Sequence, residues 1–203
     1  MIDKSLPYFP LTLVKTDTEK YPRRELPLGF HFAFYKAGDE VHWAEIERSL
    51  GQFETVEEGV ACFHREFPED YPLRPEDRML FVIDDEGEYV ATVALWDGDF
   101  LGERRQRMHW LAVKDKVSGR GIAAAMTCRV LDLYRELGYR GFIYLLTATW
   151  YYPAILIYRK FGYAEYRGEV SLVAGMPDAE FREKNADAIA SVDAKLEIGR
   201  AHV

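Results

Sequence analysis

The chain has 203 residues, 48% of them hydrophobic and 30% charged, which fits one sizeable folded domain or a domain with terminal additions and excludes a disordered chain. It has no apolar run of about eighteen residues, so no membrane-spanning helix is expected, and MIDKSLPYFP lacks the basic-then-apolar pattern of a secretory signal. A formal net charge of −8 argues against general nucleic-acid binding and is compatible with a cationic small substrate.

Residues 1–27 are rich in proline and charge and are expected to form an irregular extension. FHFAFYK (Phe30–Lys36) alternates and carries aromatics, the pattern of a strand. In AGDEVHWAEIERSL, Trp43, Ile46 and Leu50 recur at helical spacing, which gives a first helix. Thr55 and Glu58 form a capping box ahead of Val56, Val60, Phe63 and Phe67, which gives a second. RMLFVIDDEGEYVATVALWD is expected to be a β-hairpin turning at Gly87. RMHWLAV (Arg107–Val113) is the next strand.

A long helix follows over about Gly121–Leu137, with Ile122, Met126, Val130, Leu133 and Leu137 on one face and Gly138 as its stop. GFIYLLTAT (Gly141–Thr149) is apolar enough for a buried strand. PAILIYRKF starts a short helix at Pro153 and ends at Gly162. YAEYRGEVSLV is expected to supply one or two final strands. The segment from Pro177 closes the chain as an amphipathic helix bearing Phe181, Ile189, Val192 and Leu196. The order β–α–α–β–β–β–α–β–α–β, with a terminal helix, makes an α/β sandwich: a partly antiparallel sheet with helices on both faces.

The chemistry concentrates in KVSGRGIAAAM, Lys116–Met126, between a strand and a helix. A helix N-terminus presents unpaired N–H groups and partial positive charge. Gly119 and Gly121 let a diphosphate approach, Ser118 can cap the helix or donate to phosphate, and Lys116 and Arg120 add charge. The rival reading is a tight strand-to-helix turn with no ligand. No Gly-Lys-Ser/Thr follows, which excludes a P-loop. Gly119-x-Gly121-x-x-Ala124 matches a dinucleotide fingerprint, but the next strand ends LLTATW without the carboxylate that fingerprint needs.

Three features together resemble the GCN5-related N-acetyltransferase (GNAT) superfamily. They are the loop Lys116-Val117-Ser118-Gly119-Arg120-Gly121, the strand HWLAV before it, and the spacing Ala154, Tyr158, Gly162, Tyr163 after it. Two positions depart from the family pattern: Lys116 replaces Gln or Arg, and Tyr151 replaces a common Asn. The resemblance covers roughly residues 28–174, leaving 1–27 and a helical extension at 175–203. It implies a mixed, mostly antiparallel sheet with a central splayed pair of parallel strands, Arg107–Val113 and Gly141–Thr149. It also implies acetyl-CoA as acyl donor, its pantetheine arm on the backbone of Leu111, Ala112 and Val113. Its diphosphate would lie on the loop 118–123, which includes Ile122 and Ala123.

The reaction so implied is direct attack of a primary amine, on a small-molecule acceptor, at the thioester. The resemblance places Tyr158 at the general-acid position; the alternative is an aromatic that only packs. The strand before the loop offers no Glu as base. Alternation puts Arg107, His109 and Leu111 on one face, and His109 has the right chemistry near neutral pH, its rival reading being a structural histidine. Trp96, Phe100 and Trp150–Tyr152 are candidates to line the acceptor pocket, with Asp97 and Asp99 either drawing in an ammonium or forming an ordinary solvated turn.

Cys62 and Cys128 lack paired spacing and are read as buried free thiols of a reducing cytoplasm. His42, His64 and His202 have no metal-ligand spacing. The C-terminal helix can pack on its own domain or on a second copy, as a homodimer. A non-catalytic acyl-CoA sensor and an NAD(P)-binding oxidoreductase stand as alternative functions.

Overall fold

The computed structural model describes residues 3–201. Its strands are β1 (Pro10–Lys15), β2 (Phe30–Phe34), β3 (Met79–Asp84), β4 (Tyr89–Phe100), β5 (Glu103–Val113), β6 (Ile143–Ala148) and β7 (Ala164–Glu165). Its helices are α1 (Glu40–Ser49), α2 (Val56–Glu66), α3 (Ile122–Glu136), α4 (Tyr152–Lys160) and α5 (Asp178–Ala201). The strands form one sheet in the order β2-β3-β4-β5-β6-β1-β7. The sheet is mostly antiparallel, with β5 and β6 as its parallel pair.

The chain divides into two compact units. One comprises Arg23–Trp96 and Met108–Tyr139. Here the antiparallel hairpin β3–β4 turns around Gly87 as expected, and β2 pairs along β3 from Phe30↔Asp84 to Phe34↔Leu80. Both faces of β3 and β4 are buried. Met79, Phe81, Ala94 and Trp96 join Trp43, Ile46, Phe63 and Phe67 of the α1–α2 layer in one core, while Leu80, Val82, Val93 and Leu95 are as deeply buried on the other face. Burying a side chain of this size contributes about 1.5–3 kcal/mol, so this aromatic layer dominates the unit's stability.

The local signals that delimit its helices hold. Thr55 accepts from Glu58 N–H at 3.2 Å, and the Glu58 carboxylate accepts from Glu54 N–H at 3.0 Å. At the end of α3, Tyr139 N–H donates to Tyr134 C=O and Gly138 N–H to Arg135 C=O, the double closure of a Schellman motif.

The other unit comprises the residues up to Pro22, Asp97–Arg107, and those from Arg140 onward. It corrects the expectation of an irregular N-terminal extension. PLTLVK forms β1, antiparallel to β6 from Pro10↔Ala148 to Lys15↔Ile143, with two further pairs to β7. Leu11, Leu13 and Lys15 alternate into the interior, and Pro10 stands at the first strand position, where a missing N–H is tolerated. The residues before β1 strap the junction that follows β6. Thr149 Oγ1 donates to Pro7 C=O at 2.6 Å and Trp150 Nε1 donates to Leu6 C=O at 2.8 Å.

Two further expectations change in this unit. The strand expected at Arg107 begins at Glu103, because Leu101 (φ 55°) and Gly102 (φ 83°) make a two-residue hairpin turn joining β4 to β5. The one or two final strands shrink to two residues. Just beyond β7 the Tyr166 ring folds against Gly168, where an added Cβ would lie 2.1 Å from the Tyr166 hydroxyl. The α5 residues Phe181, Ile189, Val192 and Leu196 are buried within the chain itself.

Candidate functional site

The loop after β5 has the geometry its glycines suggested. Gly119 (φ 77°) and Gly121 (φ 88°) both take the left-handed region, and Gly121 is the residue from which α3 starts. A Cβ at either position would meet nothing within 4 Å, so backbone conformation, not packing, demands glycine there. No side chain caps α3, so the first-turn N–H groups are not satisfied by a capping oxygen. Ser118, expected either to cap the helix or to donate to phosphate, ends the short 3-10 turn Asp115–Val117 and does not cap α3. An uncapped helix N-terminus behind two left-handed glycines fits an anionic diphosphate, because it offers donors and partial positive charge without side-chain obstruction.

The loop's cations point to other partners. Lys116 Nζ pairs with Glu88, as does Lys114 Nζ at 3.0 Å. The bond to Glu88 raises the Lys116 amine above its ordinary range, and the two lysines hold the Glu88 carboxyl below its own. The Arg120 guanidinium lies over the Phe30 ring, 4.6 Å from its centroid. Along the end of β5, Ala112 is buried while Leu111 and Val113 are half-buried.

His109 sits in the same unit. Its Nε2 lies 2.8 Å from Glu66 Oε2, and the neighbouring Trp110 Nε1 donates to the same oxygen at 3.3 Å. Trp110 has φ 50°, so the extended alternation that put Arg107, His109 and Leu111 on one face is interrupted within the strand. Glu66 escaped the sequence reading. It lies 43 residues before His109, and no motif links the two.

In the other unit, Tyr158 stands on α4, 7% exposed, and burial pushes its phenol above the ordinary range. Its carbonyl closes the helix by accepting from Tyr163 N–H at 3.0 Å, with Gly162 (φ 84°) as the left-handed link. The phenol therefore stays protonated near neutral pH and can donate.

Each residue expected to line an acceptor pocket has neighbours within its own unit. Trp96 packs on Phe67 at 4.8 Å, Phe100 packs on Phe142 and Tyr144, and Trp150 is tied to Leu6. Asp97 and Asp99 lie near the end of β4 and not in a turn; Asp97 is paired with Arg104 at 2.9 Å, and Asp99 accepts from Gly102 N–H. Cys62 and Cys128 are buried free thiols. Among the described residues no His, Cys, Asp and Glu cluster could hold a metal, and no helix is long and apolar enough to cross a membrane. His202 lies outside the described residues.

A mostly antiparallel sheet with one parallel pair is not the doubly wound parallel sheet of a dinucleotide fold. A glycine loop opens a helix after the strand that begins the parallel pair. The chain belongs to the acetyltransferase (GNAT) family, whose pattern it matches over residues 32–163.

Solved structures agree in fold. A GCN5-related N-acetyltransferase from Sphaerobacter thermophilus is 22% identical over 77% of this chain and 48% of its own, with a TM-score of 0.59. One from Kribbella flavida is 20% identical over 76% of this chain and 53% of its own, with a TM-score of 0.50. This chain thus spans about half the length of each. A protein from Clostridium acetobutylicum, described as a predicted acetyltransferase with acetyl-CoA, is 16% identical over 71% of this chain and 96% of its own, with a TM-score of 0.53. No curated protein matches the chain.

Proposed function

We propose that the protein is an acetyl-CoA-dependent N-acetyltransferase acting on a primary amine of a small molecule. The observation that carries this reading is the uncapped start of α3 behind Gly119 and Gly121, in a chain of the GNAT family. The N–H groups of Ile122 and Ala123, with Ser118 and the two glycines, would bind the diphosphate. Lys116 and Arg120 would supply charge by leaving Glu88 and Phe30. Backbone groups of Leu111, Ala112 and Val113 would hold the pantetheine amides as an added strand does. When bound, the donor supplies an activated thioester.

The chain's own residues then have two tasks. His109 takes the proton that the ammonium must lose before its nitrogen can attack the acetyl carbonyl. As the N–C bond forms and the C–S bond breaks, Tyr158 donates to the leaving sulfur. A phenol raised by burial is a firm hydrogen-bond donor and a reluctant proton donor, so the sulfur's final proton can also come from solvent, with Tyr158 stabilising the thiolate until then.

Release of free CoA from acetyl-CoA, in the presence of spermidine, an amino-acid amide or an aminoglycoside, tests the function. Stabilisation against heat by acetyl-CoA and not by NAD is the expected accompaniment. No release with any amine, together with no stabilisation, would sink the reading. Tyr158→Phe is expected to keep acetyl-CoA affinity while turnover drops about tenfold or more; unchanged turnover removes Tyr158 from the chemistry.

A further inference from the structure

Two locally unfavourable choices meet at one carboxylate oxygen. Glu66 is the last residue of α2, where the helix dipole disfavours negative charge and where the preceding residues, His64 and Arg65, follow the opposite rule. Trp110 is a bulky residue at φ 50° inside β5, a conformation rare for such side chains. The Trp110 ring packs on Trp43 at 5.0 Å between centroids, but that packing does not itself call for a left-handed backbone, and broken local rules cluster where function requires them. Here both departures bring groups to Glu66 Oε2, which receives His109 at 2.8 Å and Trp110 at 3.3 Å.

We propose that Glu66 is a positioning residue for the base: its Oε2, held by the Trp110 indole N–H, fixes His109 with Nε2 protonated and the lone pair on Nδ1. The inference rests on the reading of His109 as the base. The tautomer follows from donor chemistry. An indole N–H can only donate and an ionised carboxylate can only accept, so the proton in the His109–Glu66 bond belongs to Nε2. The neutral ring then accepts its proton at Nδ1, and the carboxylate stabilises the imidazolium that results, as the acid of a catalytic triad does. Aromatic walls restrict the imidazole further, with Phe67 at 6.0 Å and Trp110 at 5.7 Å between ring centroids. Glu66 also acts on its own helix: Cys62, one turn earlier, has its thiol pushed up first by burial and then by this carboxylate.

A bond that merely ties α2 to β5 would matter to stability and not to protonation, so the experiment reads protonation. Long-range proton–nitrogen correlation spectra of the full-length, nitrogen-15-labelled protein, assigned with His109→Gln, should show an exchange-protected proton on His109 Nε2 that Glu66→Ala abolishes. A neutral His109 protonated on Nδ1 in the wild type would overturn the proposal, whatever the variants do.

Kinetics supply the second arm, with the panel amine that the wild type acetylates. Glu66→Gln should lower kcat about tenfold or more with KM for acetyl-CoA unchanged, and should move the acid limb of the rate–pH profile to lower pH. Glu66→Asp should recover part of the loss. If His109→Gln keeps the wild-type profile, the base reading itself fails. If His109→Gln loses turnover while Glu66→Gln keeps both rate and profile, the base stands and the positioning role is overturned.

Discussion

Glu47 shows how one residue can set the pH response of the molecule. It lies on α1, one turn after Trp43, and is 2% exposed. Its Oε1 and the Trp43 Nε1 are both buried without a hydrogen-bond partner. Desolvation alone pushes its carboxyl up to about 8 from an ordinary 4.5. The folded state therefore holds a proton that the unfolded chain releases above pH 4.5, so stability falls as pH rises from about 4.5 to 8 and levels off beyond. At about 1.4 kcal/mol per pH unit, the loss by pH 7 is ~3 kcal/mol. Glu47→Gln should flatten this dependence, matching the wild type in melting temperature at pH 4 and exceeding it by several degrees at pH 8. Parallel melting curves across that range would show that the carboxyl ionises without penalty.

At the scale of elements, what was legible in the sequence was local. The capping pair Thr55 and Glu58, the stop at Gly138, and the pair Gly119 and Gly121 each act within a few residues of themselves: the first two delimit helices as read, and the two loop glycines take the left-handed backbone. The prediction for the α3 loop follows from the same locality. Because no atom lies within 4 Å of a Cβ at Gly121, Gly121→Ala meets only the left-handed φ of 88°, and should cost about 1–2 kcal/mol in urea unfolding. If the loop holds the diphosphate, the same variant should also weaken stabilisation by acetyl-CoA beyond that loss; a purely structural turn would leave the ligand-induced shift intact. The pairs that escaped were distant ones. Nothing near His109 announces Glu66, and the left-handed Trp110, in a run that reads as plain strand, breaks the alternation used to orient it. Asp97, which the sequence left open between drawing in an ammonium and an ordinary turn, pairs with Arg104 across the hairpin turn, a partner no local motif announces.

At the scale of the whole molecule, the N-terminal segment carries weight that its composition concealed. Its prolines and charges read as an irregular wrap, yet Leu11, Leu13 and Lys15 alternate into the interior and β1 stands between β6 and β7. Strand pairing is decided by a partner more than a hundred residues away, as in Leu13↔Leu145, and composition near Pro7 and Pro10 cannot report it. Lys15 is the costly member. It is buried, its amine donates to Lys20 C=O at 2.9 Å, and desolvation lowers it from the ordinary lysine range. The strap at Leu6 and Pro7 then fixes Trp150 and Thr149, the turn from which α4 and Tyr158 depart. Removing residues 1–22 would strip β6 of its antiparallel neighbour along Ile143–Ala148, leave β7 without a partner, and expose the apolar side chains of Leu145 and Ile143 beneath. An unpaired, apolar strand edge invites aggregation. The truncated chain should therefore be largely insoluble, whereas removal of residues 1–6 should leave a folded protein. In that shorter variant, hydrogen exchange should stay slow across Leu145–Thr147 and quicken at Trp150. Fast exchange across β6 in the full-length protein would contradict the β1 pairing, and unchanged exchange at Trp150 after the short truncation would show that the strap does not hold the turn.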